Sequence, residues 1–318
     1  MVDSSTTMQI LGFGDPHIKP GSTSVDYEKL TVPDGTDMIV CTGDVVHDID
    51  DASLDAGRTF LDRLNEFEIP IIYVPGNHDP VEYYSELAGE LQNVVCAHKK
   101  VITGQSVGHL GSDPTRGHCV IGWGCEGMDQ RPKITLTDFP SLDPRERAPR
   151  SERRHAADTA ARELEDAVAT HILGNQTLDS VCTSLDIEPT HQAAFRTQLQ
   201  TVQEVFETVS SLFESATTPI IVVSHVPPYN TRLDRHHSLG EREVDLEGLH
   251  VGSLGLKLAL RHHQPIAALS GHSHTDAYQP GIGDANRPHM LNLDFRGVST
   301  ITLDGSTNQF GYTFHQTS

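Results

Sequence analysis

The segment Ser270–Thr275 carries two histidines, His272 and His274, separated by one residue. It follows the apolar run Ile266–Leu269, which is typical of a buried strand. Residues i and i+2 of an extended chain point the same way, so a loop at the strand end can aim both imidazoles into one cleft. Imidazole is the commonest metal ligand near neutral pH. On its own, this pattern is more often a solvated turn, and a metal site needs further ligands.

Other apolar runs upstream also end in loops that carry Asp, Asn or His. The strands predicted from these runs are Met8–Phe13, Asp37–Thr42, Ile69–Val74 and Pro219–Val223. One such loop is an ordinary turn, whereas three successive ones in register are hard to explain as turns. In an α/β sheet, loops at the carboxyl ends of the strands build the site. The loops are Gly14–His17, Gly43–Asp48, Pro75–Asp79 and Ser224–Tyr229.

These loops offer a mixed set of nitrogen and oxygen ligands. Such a set suits Mn, Fe, Zn or Co better than Ca or Mg. One carboxylate can bridge two ions, and Asp44 lies in the right loop to do so. Two ions about 3.5–4 Å apart form the clamp used for phosphoryl displacement. The candidates are Asp15, His17, Asp44, Asn77, His78, His225, His272 and His274.

Taken in order, the motifs resemble those of the calcineurin-like metallophosphoesterase superfamily. They are Gly-Asp-Pro-His, Gly-Asp-Val-Val-His-Asp, Gly-Asn-His-Asp, Ser-His and Gly-His-Ser-His, and they span residues 8 to about 280. The later segments Pro227–Tyr229, Thr231–Asp234 and His250–Ser253 resemble the predicted Icc-like phosphoesterases of archaea and bacteria. The resemblance implies an α+β fold with four layers, α-β-β-α, in which a two-sheet β-sandwich is flanked by helices.

The resemblance also implies a pair of divalent metal ions as cofactors. Mn²⁺ is the first expectation, and Fe, Zn, Co or Ni are alternatives. The implied ligands are Asp15, His17 and His274 for the first ion, Asn77, His225 and His272 for the second, and Asp44 as the bridge.

The residues implied to be catalytic are His78, Asp79 and Asp44. His78 would contact the phosphate or protonate the leaving oxygen, and Asp79 would orient its ring. His47 stands where some nuclease relatives carry a histidine near the substrate, but a surface loop histidine is about equally expected.

The polar segment 230–249 has no periodicity and predicts a long loop over the site. Arg232 is a candidate phosphate clamp, although an ordinary surface arginine is the more expected interpretation. His236 and His237 could contact the substrate, but a solvated loop is favoured for both.

The implied function is hydrolysis of a phosphodiester or phosphomonoester by a metal-bridging hydroxide. The substrate would be a small molecule or a nucleotide. Two alternatives stay open: a nuclease of the same superfamily, and a catalytically inactive scaffold that binds a protein partner. An inactive relative typically loses metal ligands or the Asn-His pair, whereas Asn77 and His78 are both present here.

The charge balance of the chain is strongly acidic. The 318 residues carry a formal net charge of −21. Salt screens the self-repulsion of such a surface, so we expect a halophilic source. Tight non-specific binding to nucleic acid needs clustered Lys and Arg, so nucleic-acid partners are not expected. Lysine is scarce and occurs only as Lys19, Lys29, Lys99, Lys100, Lys133 and Lys257.

Cysteine usage and the N-terminus indicate a soluble cytoplasmic protein. The cysteines are odd in number and form no C-x-x-C pair, which disfavours a disulfide scaffold or a zinc ribbon. They are typical of small core residues in a reducing compartment. No signal peptide or membrane span is expected. The cysteines are Cys41, Cys96, Cys119, Cys125 and Cys182.

Helices and closing strands must hold these loops in place. We expect a single domain over residues 1–318, with a helical insert at about 129–216. Residues 129–150 predict an irregular loop. The predicted helices are Ala52–Phe67, Ser151–Thr170, His191–Glu214 and Ser253–His263, the last with Ser253 as its N-cap. The predicted closing strands are Met290–Phe295, Val298–Leu303 and Phe310–Phe314.

Overall fold

A computed structural model of the chain describes residues 7–21, 30–110, 115–128, 133–174, 176–217, 219–235, 250–283, 285–293 and 295–315. Its strands are β1 (Thr7–Phe13), β2 (Met38–Cys41), β3 (Ile71–Tyr73), β4 (Val94–Cys96), β5 (Lys100–Ile102), β6 (Cys119–Trp123), β7 (Ile220–Ser224), β8 (Ala267–Ser270), β9 (Ala277–Pro280), β10 (His289–Asn292), β11 (Val298–Asp304) and β12 (Gln309–His315). The α-helices are α1 (Asp51–Asn65), α2 (Tyr84–Ala88), α3 (Pro144–Arg147), α4 (Arg153–Ile172), α5 (Leu178–Ser184), α6 (Gln192–Ser215) and α7 (Leu254–His263).

The strands form two six-stranded sheets, in the orders β12-β11-β1-β2-β3-β4 and β5-β6-β7-β8-β10-β9. Strands β1 to β4 are parallel, and so are β6, β7, β8 and β10. Antiparallel strands form one edge of the first sheet and both edges of the second. Each sheet therefore presents the carboxyl ends of its central strands at one edge.

Alternate residues of a strand serve two different cores. Met8 and Ile10 of β1 lie in the core between the sheets, together with Ile221 of β7. Leu11 and Phe13 face the other way and pack with α1. This follows from the two-residue side-chain period of a strand.

Helices cover the outer face of each sheet. Helix α1 begins after its N-cap Asp50, whose side chain accepts from Ser53 N–H, and it buries Leu61 and Leu64 against the first sheet. Helices α6 and α7 pack on the second sheet. The predicted four-layer α+β fold, a two-sheet β-sandwich flanked by helices, is therefore confirmed.

The region between β6 and β7 is largely helical where it is described. Helices α4, α5 and α6 share a core with Tyr229, Leu254 and Leu258. The sequence located the two long helices, α4 and α6, within two residues at each end. It missed α5, and it missed the short helix α3 in the stretch expected to be irregular. The single-domain description with an insert stays a prediction.

Several smaller expectations have definite outcomes. Ser253 caps α7 as predicted, its side chain accepting from Leu256 N–H. The strand expected over Met290–Phe295 is shorter, His289–Asn292, and β9 was not foreseen. Within the described ranges, no helix has both the length and the apolar character needed to cross a membrane.

Candidate metal centre

The loops that follow β1, β2, β3, β7 and β8 meet at the carboxyl edge of the two sheets. Backbone hydrogen bonds tie them together: His17 N–H donates to Asp44 O at 2.8 Å, and Gly271 N–H donates to His225 O at 2.9 Å. Residues far apart in the chain therefore share one site, as expected for parallel strands.

Two glycines allow the loops to approach this closely. A Cβ on Gly76 would lie 2.1 Å from Asp44 Oδ1, and a Cβ on Gly271 would lie 2.7 Å from Asp15 Oδ1. Both distances are shorter than real Cβ contacts. Any side chain at Gly76 or Gly271 would push a candidate carboxylate out of place.

Backbone strain concentrates at the site. Positive φ values are uncommon for residues other than glycine and cluster at functional sites when the surroundings enforce them. Five candidate ligands have φ between 46° and 67°: Asp15, His17, Asp44, His272 and His274.

One half of the site gathers around His17. Its Nε2 lies 3.2 Å from His274 Nε2 and 3.5 Å from Asp44 Oδ2. His47 Nδ1 lies 3.4 Å from His17 Nδ1. His17, His47 and His78 form one group whose ring nitrogens lie close enough together to hold an ion.

The other half gathers around Asn77. Its Oδ1 lies 3.0 Å from His225 Nε2 and 2.9 Å from His272 Nδ1. Asp44 Oδ2 lies 3.6 Å from His225 Nε2. Asp44, His225 and His272 form the second such group. The same Asp44 oxygen thus faces His17 on one side and His225 on the other.

Hydrogen bonds to carbonyls orient two of the rings. His225 Nδ1 lies 2.7 Å from Thr42 O, and His78 Nδ1 lies 2.6 Å from His47 O. A carbonyl only accepts, so each Nδ1 carries the proton and leaves Nε2 for the site.

Two carboxylates, Asp15 and Asp44, lie close together in the buried site, where negative charge is unfavourable. Burial first, and repulsion from Asp44 second, raise the pKa of the Asp15 carboxyl well above its usual range. Asp15 Oδ1 is buried with no hydrogen-bond partner among the described residues. Burial, followed by the charges of His78, His274 and His47, lowers the pKa of His17 and favours its neutral form.

A family model described as calcineurin-like phosphoesterase matches residues 8–276. The chain belongs to the calcineurin-like phosphoesterase family. Members of this family generally hydrolyse phosphoesters and typically bind divalent metals. Membership of the Icc-like subgroup stays a prediction.

Two solved structures illustrate the likeness of this calcineurin-like phosphoesterase to known proteins. One crystal structure has 13% identity and a TM-score of 0.50, and the match covers 98% of this chain and 100% of the other. The phosphopantetheinyl hydrolase PptH from Mycobacterium tuberculosis has 15% identity and a TM-score of 0.46, with 92% and 91% covered. At 13% identity, the first of these likenesses shows the fold alone. No curated protein gives a significant match.

The donor set of this calcineurin-like phosphoesterase fits divalent cations. A cation would satisfy Asp15 Oδ1 and relieve the repulsion between Asp15 and Asp44, and neutral imidazole is the form that binds metals. Mixed nitrogen and oxygen donors suit transition ions. The residues predicted as ligands of the first and of the second ion lie together at one site.

The role predicted for Asp79 in orienting the His78 ring is wrong. Asp79 is fully buried, and its carboxylate accepts from the backbone N–H groups of Asp44, Val45 and Gly76 at 2.6–2.9 Å. The His47 carbonyl orients His78 instead. Burial first, and Asp44 second, raise the pKa of Asp79 to about 7. Asp79 therefore positions the loops after β2 and β3.

Other residues of the site escaped the sequence analysis or were left open by it. Phe295 stacks on His274 with ring centroids 3.8 Å apart, and buried Asn292 donates to Gly271 O at 2.6 Å. Asn292 is the last residue of β10 and Phe295 follows that strand, and neither belongs to a recognisable motif.

The sequence left His47 open between a position near the substrate and a surface loop. The structure places its ring beside His17, within the site. His236 and His237 lie outside the described residues.

Proposed function

We propose that this chain is a dinuclear-metal-dependent hydrolase that cleaves a phosphodiester or phosphomonoester in a small molecule or nucleotide. The observation that carries the proposal is the position of Asp44 Oδ2, 3.5 Å from His17 Nε2 and 3.6 Å from His225 Nε2. A single carboxylate oxygen between two groups of ligands is the arrangement that a bridged pair of ions requires.

The proposed ligands are those that the motifs imply, with Asp44 as the shared residue. When bound, two divalent ions polarise phosphoryl oxygens and lower the pKa of a water molecule. Mn²⁺ is the proposed ion, because the donor set mixes nitrogen and oxygen. Asp15, His17 and His274 would hold one ion, Asn77, His225 and His272 the other, and Asp44 both.

His78 is proposed as the residue that protonates the leaving oxygen. Its ring is half-buried, and its Nδ1–H is held by His47 O. This hydrogen bond fixes the ring and leaves Nε2 as the nitrogen that faces the cleft. His78 N–H also donates to Asp44 Oδ1 at 2.8 Å. This bond fixes the position of His78 relative to Asp44.

The charge of the chain supports a small substrate rather than a long nucleic acid. The net charge is −21, and binding to a phosphate backbone depends on many Lys and Arg contacts. Cytoplasmic action is proposed because all five cysteines are buried and free of disulfides.

The test is metal content together with hydrolysis. Protein purified without chelator should contain up to two transition-metal ions per chain by elemental analysis. With added Mn²⁺, it should hydrolyse p-nitrophenyl phosphate, bis-p-nitrophenyl phosphate or a cyclic nucleotide. Asp44→Asn keeps the acceptor for His78 N–H but weakens the shared ligand. Loss of a residue that only hydrogen-bonds to a metal ligand lowers metal affinity about 10–100-fold. Asp44→Asn alters a ligand itself, so it should lower the affinity for both ions by at least as much.

Asp48→Asn is the matched control, because Asp48 is exposed in the same loop. It should retain both ions and full activity. If Asp44→Asn keeps its full metal content while circular dichroism shows an intact fold, Asp44 is not the bridge. If the wild-type chain binds no transition metal, the proposed function is wrong.

A further inference from the structure

A pocket lined by arginines lies beside the metal centre. Its volume is about 440 Å³. Four arginines line it, and Asp158 is the carboxylate among its lining residues. This concentration of positive charge stands out in a chain with a net charge of −21. The arginines are Arg154, Arg162, Arg232 and Arg235.

Helix α4 supplies one wall of the pocket. Arg154, Asp158 and Arg162 are spaced four residues apart and therefore lie on one face of the helix. The same face of α4 continues to Glu165, which lies three residues after Arg162 and is buried. Glu165 Oε2 accepts from Asn230 Nδ2 at 2.7 Å and from Lys257 Nζ at 2.6 Å. These bonds fix α4 against the loop that supplies the other wall.

That loop is built around Asp234, which is fully buried. The Asp234 carboxylate accepts from Asn230 N–H at 2.7 Å and from His250 Nδ1 at 2.7 Å. Arg232 and Arg235 flank Asp234 in sequence, so the same buried carboxylate positions both. The pocket is therefore held by buried polar contacts on each wall.

Most of this positive charge is not neutralised within the described part of the chain. Asp158 pairs with Arg235. No described carboxylate forms an ion pair with Arg154, Arg162 or Arg232. Burial first, and the neighbouring charge of Arg154 second, lower the pKa of the Arg235 guanidinium. Like charges held together in this way favour a bound anion.

The pocket adjoins the loop of His272 and His274. Thr275 Oγ1 donates to Arg235 O at 2.6 Å, and Ser273 Oγ donates to Leu233 O. A molecule bound at the metal centre can therefore extend over this loop toward the arginines. Guanidinium groups are suited to phosphate because they form paired, charge-assisted hydrogen bonds.

We propose that this arginine pocket binds a second phosphate group of the substrate, next to the ester that the metal centre cleaves. The inference rests on the proposed function and deepens it, because it assigns the substrate to the class of bisphosphorylated molecules. Arg162 and Arg232 approach the phosphate from opposite walls, one from α4 and one from the loop.

The experiment compares two inhibitors that differ by one phosphate. Adenosine 5′-monophosphate and adenosine 3′,5′-bisphosphate compete with whichever p-nitrophenyl ester the enzyme hydrolyses. The bisphosphate should bind the wild type about tenfold or more tightly than the monophosphate, as one added charge-assisted contact allows. In the double variant Arg162→Gln, Arg232→Gln this ratio should fall to near one. Both arginines are exposed, so the fold should survive.

Arg261→Gln is the matched control, because Arg261 is an exposed helix arginine outside the pocket. It should keep the wild-type ratio. A second measurement titrates inorganic pyrophosphate into the metal-free chain by calorimetry. The wild type and Arg261→Gln should bind pyrophosphate, and the double variant should bind it about tenfold more weakly.

The outcomes separate the two proposals. If esters are hydrolysed but the wild type shows no preference for the bisphosphate, the inference is wrong and the proposed function stands. An unchanged preference in the double variant also overturns the inference. If no ester is hydrolysed, the proposed function fails, and with it any substrate role for the pocket. In that case, pyrophosphate binding would show that the pocket binds anions, but the inference about the substrate would still be wrong.

Discussion

His47 and His78 show how single residues shape the site. Their rings stack with centroids 5.4 Å apart and an angle of 26° between the planes. The His47 carbonyl holds His78 Nδ1, while the His47 ring reaches His17. His47 therefore acts through its backbone on the proposed acid and through its ring on a proposed ligand.

Replacement of His78 tests general acid catalysis at the residue scale. His78→Ala should lower kcat by about 10²–10⁴-fold while both ions stay bound, because this is the usual contribution of a positioned acid. The loss should be larger for alkyl phosphates than for p-nitrophenyl esters, since p-nitrophenolate leaves without a proton. Steady-state kinetics and elemental analysis on the same preparation provide the measurement.

His262→Ala is the control for this variant, because His262 is an exposed histidine on α7. It should leave kcat unchanged. An equal loss for both kinds of ester would mean that His78 stabilises charge without donating the proton. A fall in metal content together with activity would mean that His78 helps to hold an ion.

At the scale of elements, a buried ion pair adds to the apolar core that holds α4. Lys257 is 5% exposed and Glu165 is 7% exposed, with 2.6 Å between Nζ and Oε2. Lys257 Nζ also donates to Asn230 O at 3.0 Å. Helix α4, helix α7 and the arginine-bearing loop therefore meet at a single cation.

Glu165→Ala should lower the free energy of unfolding by about 3–5 kcal/mol, because it leaves the Lys257 ammonium buried without its partner. Urea unfolding followed by circular dichroism measures the change. The control is Glu163→Ala on the same helix, where Glu163 forms an exposed pair with Arg147 at 2.7 Å. Exposed pairs contribute only about 0–1 kcal/mol. Equal effects of the two variants would show that the Lys257 charge is compensated elsewhere.

At the scale of the whole molecule, the dominant feature is the charge of −21. Like charges destabilise a compact state, and dissolved salt screens them. The candidate metal centre gathers carboxylates as well, but the proposed cations would compensate their charge. The remaining acidic groups depend on the solvent for screening, which is the basis of the halophile prediction.

The melting temperature should therefore rise as KCl increases from low to molar concentration. Differential scanning fluorimetry of the full chain measures it. A sucrose series of equal osmolality reports the effect of solute exclusion alone, and the rise in KCl should exceed it. A flat or falling curve in KCl would remove the halophile prediction.

Sequence by itself determined the fold class and the residues that gather at the site. The reason is local: each candidate ligand follows a strand of apolar residues, and parallel strands place their carboxyl ends together. Asp15, Asp44, Asn77, His225 and His272 could be selected in this way. The long helices α4 and α6 were also predictable, because their apolar periodicity extends over several turns.

Only the tertiary structure decided which contacts each of these side chains makes. Asp79 follows His78 in the chain, yet its carboxylate turns inward to three backbone N–H groups. Phe295 and the α4 arginines of the pocket come from segments without a motif, whereas Arg232 lies in the motif segment Thr231–Asp234. Such contacts join residues distant in sequence, and burial and hydrogen bonding between loops decide them, neither of which has a local signature in the chain.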